Sequence, residues 1–277
     1  MVWRKERMKK IELIPQQLSY ETTEILNTLR TNIQFAGVDK KVIMFTSCMS
    51  GEGKSNTTFN LACSLSELGK KVLLIDADMR KSVMVKVVRS GNIDCGLSHY
   101  LSGQCTLADV IFATDVRGLH MIFAGPVPPN PTELLASQQF ENMIFKLKEL
   151  YDYILIDCAP LGMVVDAAIV SKNCDGSILL IEANTVKYRF AQVVKEKLEA
   201  GNCPILGVVI NKVDRAQSRG YYKKYYGKKY GSQYEKYGYY DDDKEKLNSS
   251  APAVRRENKK RANTPAKPRP NQASGEL

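Results

Sequence analysis

The sequence predicts an α/β fold, a parallel β-sheet whose crossover helices cover both faces, followed by a disordered C-terminal tail. Three observations carry that reading. Short β-branched runs alternate with helix-length amphipathic stretches, the order that builds a parallel sheet. Most of the runs are apolar throughout, as expected for strands covered on both sides. The pattern then stops at Asp214, and residues 215–277 hold too few large apolar groups to offset the entropy of ordering them.

In chain order, strands are expected at 41–47 (KVIMFTS), 71–77 (KVLLIDA), 119–125 (LHMIFAG), 153–159 (YILIDCA), 177–183 (SILLIEA) and 205–211 (ILGVVIN). Helices are expected near 54–68, 133–150, 165–173 and 186–200. A further amphipathic helix over 20–36 precedes the first strand, with Ile25, Leu29 and Ile33 as its apolar stripe. Residues 1–19 read as a solvated basic leader, because no apolar stretch follows the charges as a secretory signal would require. No run of 18 apolar residues occurs, so no membrane span is expected. Seven scattered cysteines without a CxxC pair read as reduced thiols of a cytosolic protein.

The charge is unevenly held. Residues 1–214 carry 24 Lys and Arg against 23 Asp and Glu, whereas residues 215–277 carry 16 against 7. The net +10 therefore belongs to the tail, and the domain ahead of it is near neutral.

Chemistry first shows in "SCMSGEGKSNTTFNLA" (47–62), which follows a strand and opens a helix. A phosphate-binding loop requires that context. Gly51 and Gly53 let successive N–H groups turn toward phosphate oxygens, and the helix adds its positive N-terminal end. In that reading Ser50, Gly51, Glu52, Gly53, Lys54, Ser55 and Asn56 hold ATP. Lys54 reaches the β- and γ-phosphates, and the Ser55 hydroxyl sits on Mg²⁺. The full pattern asks for glycine where Cys48 stands, so the match is partial. Asp76 and Asp78 in "VLLIDADMR" and Asp157 in "YILIDCAP" end buried strands, where open α/β sheets bind ligands. Asp157 fits the role of orienting Mg²⁺, directly or through water, beside Ser55, and the order of these pieces predicts a P-loop NTPase-type sheet. Asn211 in "INKVD" is either an adenine contact or a plain strand-end turn. Asp166 and Asp175 read as caps or solvated ends of the helix between them, and His99 and His120 as structural.

The GKS loop, "LLIDADMR", "ILIDCAP" and a terminal tyrosine cluster together resemble the bacterial tyrosine kinases, cytoplasmic kinases of capsule and exopolysaccharide synthesis. The resemblance covers about residues 18–240 and includes "GLSHYLSG" (96–103), "GPVPPNPTELLAS" (125–137) and "GVVINK" (207–212). It implies that Asp76, Asp78 and Arg80 form the DxDxR motif called Walker A′. Asp76 would then accept the tyrosine proton, Asp78 would help hold Mg²⁺, and Asp157 would take the Walker B role. Lys54, Asp76 and Asp78 are the catalytic candidates. Partition and septum-placing ATPases share the wider fold but carry a lysine five positions before the loop lysine, where this chain has Met49. Ser50 and Asn56 depart from the family's usual proline and threonine. Glu24 and Arg30 match the ends of its ExxRxxR oligomerisation motif, with Asn27 replacing the middle arginine.

The resemblance further implies a ring of subunits, a cognate tyrosine phosphatase, and a membrane-bound polysaccharide co-polymerase whose cytoplasmic tail activates the kinase. That partner would recruit a cytoplasmic chain to the inner face of the plasma membrane. The domains expected are a leader (1–19), the kinase domain (20–214), a tyrosine-rich segment (215–243) and a basic tail (244–277). Tyr221, Tyr222, Tyr225, Tyr226, Tyr230, Tyr234, Tyr237, Tyr239 and Tyr240 are the phosphoacceptor candidates, nine of the fourteen tyrosines in the chain. Two rivals stand beside self-phosphorylation. One is a nucleotide-gated ATPase switch without kinase activity. The other is a tail that stacks its tyrosines on nucleic-acid bases, which the upstream motifs make the lesser expectation.

Overall fold

A computed structural model describes residues 8–213 of the chain. The tyrosine-rich segment, the basic tail and the disorder expected of both lie outside the described residues. Nine strands form one sheet in the order β4-β1-β5-β6-β3-β7-β2-β8-β9. They are β1 (Lys9–Leu13), β2 (Val42–Ser47), β3 (Val72–Asp76), β4 (Val88–Ser90), β5 (Phe112–Thr114), β6 (Leu119–Ile122), β7 (Tyr153–Asp157), β8 (Gly176–Glu182) and β9 (Ile205–Asn211). From β6 to β9 every neighbouring pair is parallel, and all six strands expected from the sequence are present there. Strands β2, β3 and β7 are buried along nearly their whole length, which is why their sequences do not alternate. Two apolar cores, one on each face, enclose them.

Three short strands escaped the sequence reading. The first overturns the solvated leader, because Lys9–Leu13 pairs in parallel with β5 and antiparallel with β4. Its side chains alternate, with Ile11 and Leu13 buried while Lys10 and Glu12 face outward. Two apolar residues among lysines are too weak a pattern to read. Pairing with a segment about a hundred positions away makes the strand. β4 and β5 have three residues each, below what periodicity can show.

Helix α1 (Tyr20–Phe35) begins at Ser19, whose hydroxyl accepts from the Thr22 N–H at 3.2 Å. Its buried residues are Leu26 and Ile33, with Leu29 half-buried, and Ile25 is 62% exposed. Leu29 and Ile33 thus lie on the buried side as expected, but Leu26 takes the place of Ile25, turning that face slightly toward α2 (Lys54–Glu67), against which α1 packs. Burying Leu26 and Ile33 contributes about 1.5–3 kcal/mol each.

Arg30 also reaches α2. Its Nη1 donates to the carbonyl and hydroxyl of Ser64 on α2, at 3.1 and 2.9 Å. The expected oligomerisation residue is therefore engaged within its own domain, while Glu24 is exposed and accepts from Asn27 at 3.1 Å. Arg30→Ala should cost about 1.5–3 kcal/mol through these charge-assisted bonds. Thermal unfolding at one protein concentration would show it, and an unchanged Tm would mean the α1–α2 tie carries no load.

The remaining helices are α3 (Leu97–Leu101), α4 (Leu107–Val110), α5 (Pro131–Leu135), α6 (Gln138–Lys148), α7 (Asp166–Val170) and α8 (Tyr188–Glu199). The single helix expected near 133–150 is two, because Ser137 caps a new one by accepting from Phe140 N–H at 3.3 Å. Phe140, Met143, Ile144 and Leu147 then bury the face that recurs every three to four residues. Cys95 and Cys105 are joined by a disulfide with Cα atoms 6.7 Å apart, which corrects the all-reduced expectation. The intervening chain folds back through α3 and brings its ends together; the other five cysteines are free. His99 accepts from Gly96 N–H at 3.2 Å, and His120 lies 2.7 Å from the Tyr151 hydroxyl, both structural roles.

Candidate active site

The loop between β2 and α2 turns on two glycines with left-handed backbones. At Gly51, φ is 90° and a Cβ would meet open space. At Gly53, φ is 88° and a Cβ would stand 2.1 Å from Asn211 Nδ2, so size as well as conformation demands glycine. Helix α2 starts directly after it with no capping side chain, leaving its first N–H groups to an anion. Ser50 and Asn56 are exposed at this end.

Glu52 behaves otherwise than expected. Its side chain is buried and braces the loop, accepting from Met49 N–H at 2.7 Å and Glu182 N–H at 3.1 Å. Only its backbone is free to serve a nucleotide, and its carbonyl already accepts from Asn211 Nδ2 at 2.9 Å. Asn211 thus ties the end of β9 to the phosphate loop.

Lys54, on the first turn of α2, reaches across to the ends of β3 and β7. Asp76 and Asp157 end these strands in register with each other. The Lys54 ammonium bonds Asp157 Oδ1 and lies 3.9 Å from Asp78 Oδ2. All four side chains are buried, with exposures of 6% for Lys54, 1% for Asp76 and Asp157, and 7% for Asp78. Ser55 adjoins the cluster, its hydroxyl 3.4 Å from Lys54 Nζ.

One ammonium among three carboxylates leaves an excess of buried negative charge, and the pKa values register it. Burial pulls the Lys54 pKa down, but Asp157 and then Asp78 outweigh it and raise it above the usual range. Burial also raises Asp157, against the pull of Lys54. Asp76 is pushed up to about 7, first by burial and then by the Asp157 charge, against the Ser82 hydrogen bond and Lys54.

Such an oxygen-rich, over-negative cluster beside an anion-binding loop suits a hard divalent cation. Among the described residues no three His, Cys, Asp or Glu are grouped to hold an ion unaided. Mg²⁺ would suit such carboxylates on its own chemistry, since it takes one or two of them and fills its other positions with phosphate oxygens and water.

The turn after β3 wraps its carboxylates closely. Asp76 accepts from Asp78 N–H at 3.1 Å and from the Ser82 hydroxyl at 2.5 Å, and Asp78 accepts from Lys81 N–H at 3.0 Å. Ser82 was not singled out in the sequence, because nothing local marks a serine six residues on as a partner. Asp166 is neither a solvated end nor an ordinary cap. It is 1% exposed and paired with Arg80. Asp175 likewise neither caps that helix nor stands in solvent: it ties the start of β2, accepting from the N–H groups of Lys41 and Val42 at 3.0 and 2.8 Å, and pairs with Lys148 of α6. The nine candidate phosphoacceptor tyrosines lie outside the described residues.

A glycine-turned loop opening a helix at the C-terminal edge of a parallel sheet, facing strand-end carboxylates, defines a P-loop nucleoside-triphosphate-binding domain. Residues 40–190 match the family described as an AAA domain. The chain belongs to the tyrosine-protein kinase family. It is 43% identical to the tyrosine-protein kinase CpsD of Streptococcus agalactiae serotype III over 211 residues, 76% of this chain and 91% of that protein. The solved BceF tyrosine kinase domain superposes with a TM-score of 0.64 at 37% identity, covering 70% of this chain and 78% of that one. The septum site-determining protein MinD of Pyrococcus horikoshii, solved with Mg-ADP, is a more distant relative. Its TM-score is 0.56 at 27% identity, covering 63% of this chain and 71% of that one.

Proposed function

We propose that this kinase transfers the γ-phosphoryl group of ATP, with Mg²⁺, to its own C-terminal tyrosines among Tyr221–Tyr240, and that it serves capsule or exopolysaccharide synthesis. The observation that carries this reading is the buried cluster of Lys54, Asp76, Asp78 and Asp157 at the mouth of the phosphate loop. A phenol is a poor nucleophile at neutral pH because its pKa is near 10. Asp76, with a pKa raised to about 7, is matched to take that proton as the oxygen–phosphorus bond forms and the bond to the β-phosphate oxygen breaks. Mg²⁺ would be held by the Ser55 hydroxyl and, directly or through its bound waters, by Asp78, Asp157 and Asp76, and would neutralise charge on the transferring group. Lys54 serves the same end by exchanging part of its bond to Asp157 for the phosphates. Asn211 would border the base, a reading supported by its bond to the Glu52 carbonyl of the phosphate loop.

Partners enter on the family resemblance: a membrane-bound co-polymerase with an activating cytoplasmic tail, a tyrosine phosphatase that resets the tail, and a ring of subunits. Recruitment to the plasma membrane would follow from the first of these. No described helix is long and apolar enough to cross a membrane.

Mass spectrometry of the purified full chain after incubation with MgATP tests the reading, with the co-polymerase tail added in a parallel sample. Phosphate is expected on several tyrosines between Tyr221 and Tyr240. Steady ATP hydrolysis with no phosphotyrosine in either sample would establish the ATPase-switch reading instead.

A further inference from the structure

Arg80 makes a two-point fork onto Asp166, Nε to Oδ2 at 2.6 Å and Nη2 to Oδ1 at 3.0 Å. Thr132 closes a triangle, its hydroxyl donating to Asp166 Oδ1 and accepting from Arg80 Nη2, both at 2.8 Å. These three residues come from the segments that follow β3, β6 and β7, all at the catalytic edge of the sheet. An exposed pair of this kind would hold little. Here the carboxylate is buried, and removing one partner would strand it, so the fork sets geometry. Between the Asp76 strand end and Ser82, the turn is tied internally through Asp78 N–H, Lys81 N–H and the Ser82 hydroxyl. The Arg80 side chain ties that turn to the other two segments. What the turn presents is Asp78 Oδ2, toward Lys54.

We propose that Asp166, assisted by Thr132, is a positioning residue that acts through Arg80 to hold the 77–82 turn, so that Asp76 and Asp78 face Lys54 and the metal-bound phosphates. The proposal deepens the kinase reading and rests on it for the identity of the metal and phosphates. It assigns no chemistry to Asp166 itself.

The test uses the purified full chain, a fluorescent ADP and graded Mg²⁺. For Asp166→Asn, the Mg²⁺ concentration that half-saturates its effect on ADP binding should rise about tenfold, and kcat should fall by a similar factor. Affinity for ADP without Mg²⁺ should stay within about twofold, because the phosphate loop is untouched. In an Arg80→Met background, Asp166→Asn should add less than about twofold to either effect. An unmoved Mg²⁺ requirement would overturn the proposal, as would an effect that adds in full to that of Arg80→Met. So would Mg²⁺-free affinity and Tm falling together, which would mark a folding role. If Asp166→Asn does not fold, Thr132→Val replaces it and should give a smaller shift in the same direction; none would overturn the proposal. Nucleotide binding needs no tyrosine transfer, so the two readings fail separately. A chain with an Asp166-sensitive Mg²⁺ requirement but no phosphotyrosine supports the positioning role while refuting the kinase reading.

Discussion

Lys54→Met is expected to cut tyrosine phosphorylation of the purified chain by about 10²–10³-fold, to background in a mass-spectrometric assay. Among the described residues Lys54 is the single cation in a buried cluster with three carboxylates, and it is the ammonium there for charge developing on a transferring phosphoryl group to meet. Methionine keeps the length of the side chain and its packing against the neighbours, so the loss isolates the charge. It also strands Asp157, and removing one partner of a buried pair costs about 3–5 kcal/mol. A fall in Tm should therefore accompany the loss of activity. Lys54→Arg separates the two effects. Its guanidinium keeps a cation beside Asp157 and should recover most of the stability, yet its planar fork does not place a compact charge on the phosphates. Arginine protein that folds, binds nucleotide and remains inactive fits the assignment. Lys54→Met protein that still labels its own tyrosines would show that the site lies elsewhere.

Asp76→Asn should move activity and stability in opposite directions. As the group placed to take the phenol proton, its loss is expected to lower kcat by about 10²–10⁴-fold. The folded domain should nonetheless become harder to unfold at pH 8. An unfolded Asp ionises near 3.9, whereas Asp76 in the fold titrates at about 7 because burial and the Asp157 charge oppose ionisation. Between those two values the folded chain keeps a proton that the unfolded chain releases, so stability falls as pH rises through the window and stays lower above it. Three pH units set an upper bound of about 4 kcal/mol on that cost. A domain of this size gains roughly 2–4 °C per kcal/mol. Asparagine carries no charge and can still satisfy Asp78 N–H and Ser82. In metal-free buffer its Tm advantage should be several degrees at pH 8, about a third of that at pH 5, and gone only below about pH 4. An advantage that is absent at pH 8, or equal at both pH values, would contradict the charge account.

The fold was readable from the sequence where segments are long and their burial is uniform. Strands β2, β3 and β7 announce themselves as apolar runs because both faces are covered, while β9 keeps such a run at the sheet edge with Val208 and Ile210 exposed; the phosphate loop announces itself because backbone conformation at Gly51 and Gly53 needs glycine. β1 was not readable: Ile11 and Leu13 count as core only once Phe112–Thr114 lies alongside. Arg30 read as an oligomerisation residue, and its reach to Ser64 depends on how α1 lies against α2. The pairing of Cys95 with Cys105 depends in the same way on how the chain between them folds back.

Within the candidate site the division follows the range of the forces. Sequence order alone determined that a phosphate loop, three strand-end carboxylates and a tyrosine cluster share one chain, because each is a local pattern with a local physical cause. Tertiary structure decided which of them meet. It put Lys54 against Asp157, turned the Glu52 side chain inward as a brace, and raised Asp76 first by burying it and then by placing Asp157 beside it in register. It also joined Arg80, Thr132 and Asp166 across 86 positions of sequence. Charge–charge and desolvation energies depend on distance in space and on exclusion of water, and neither is a property of any stretch of sequence taken by itself.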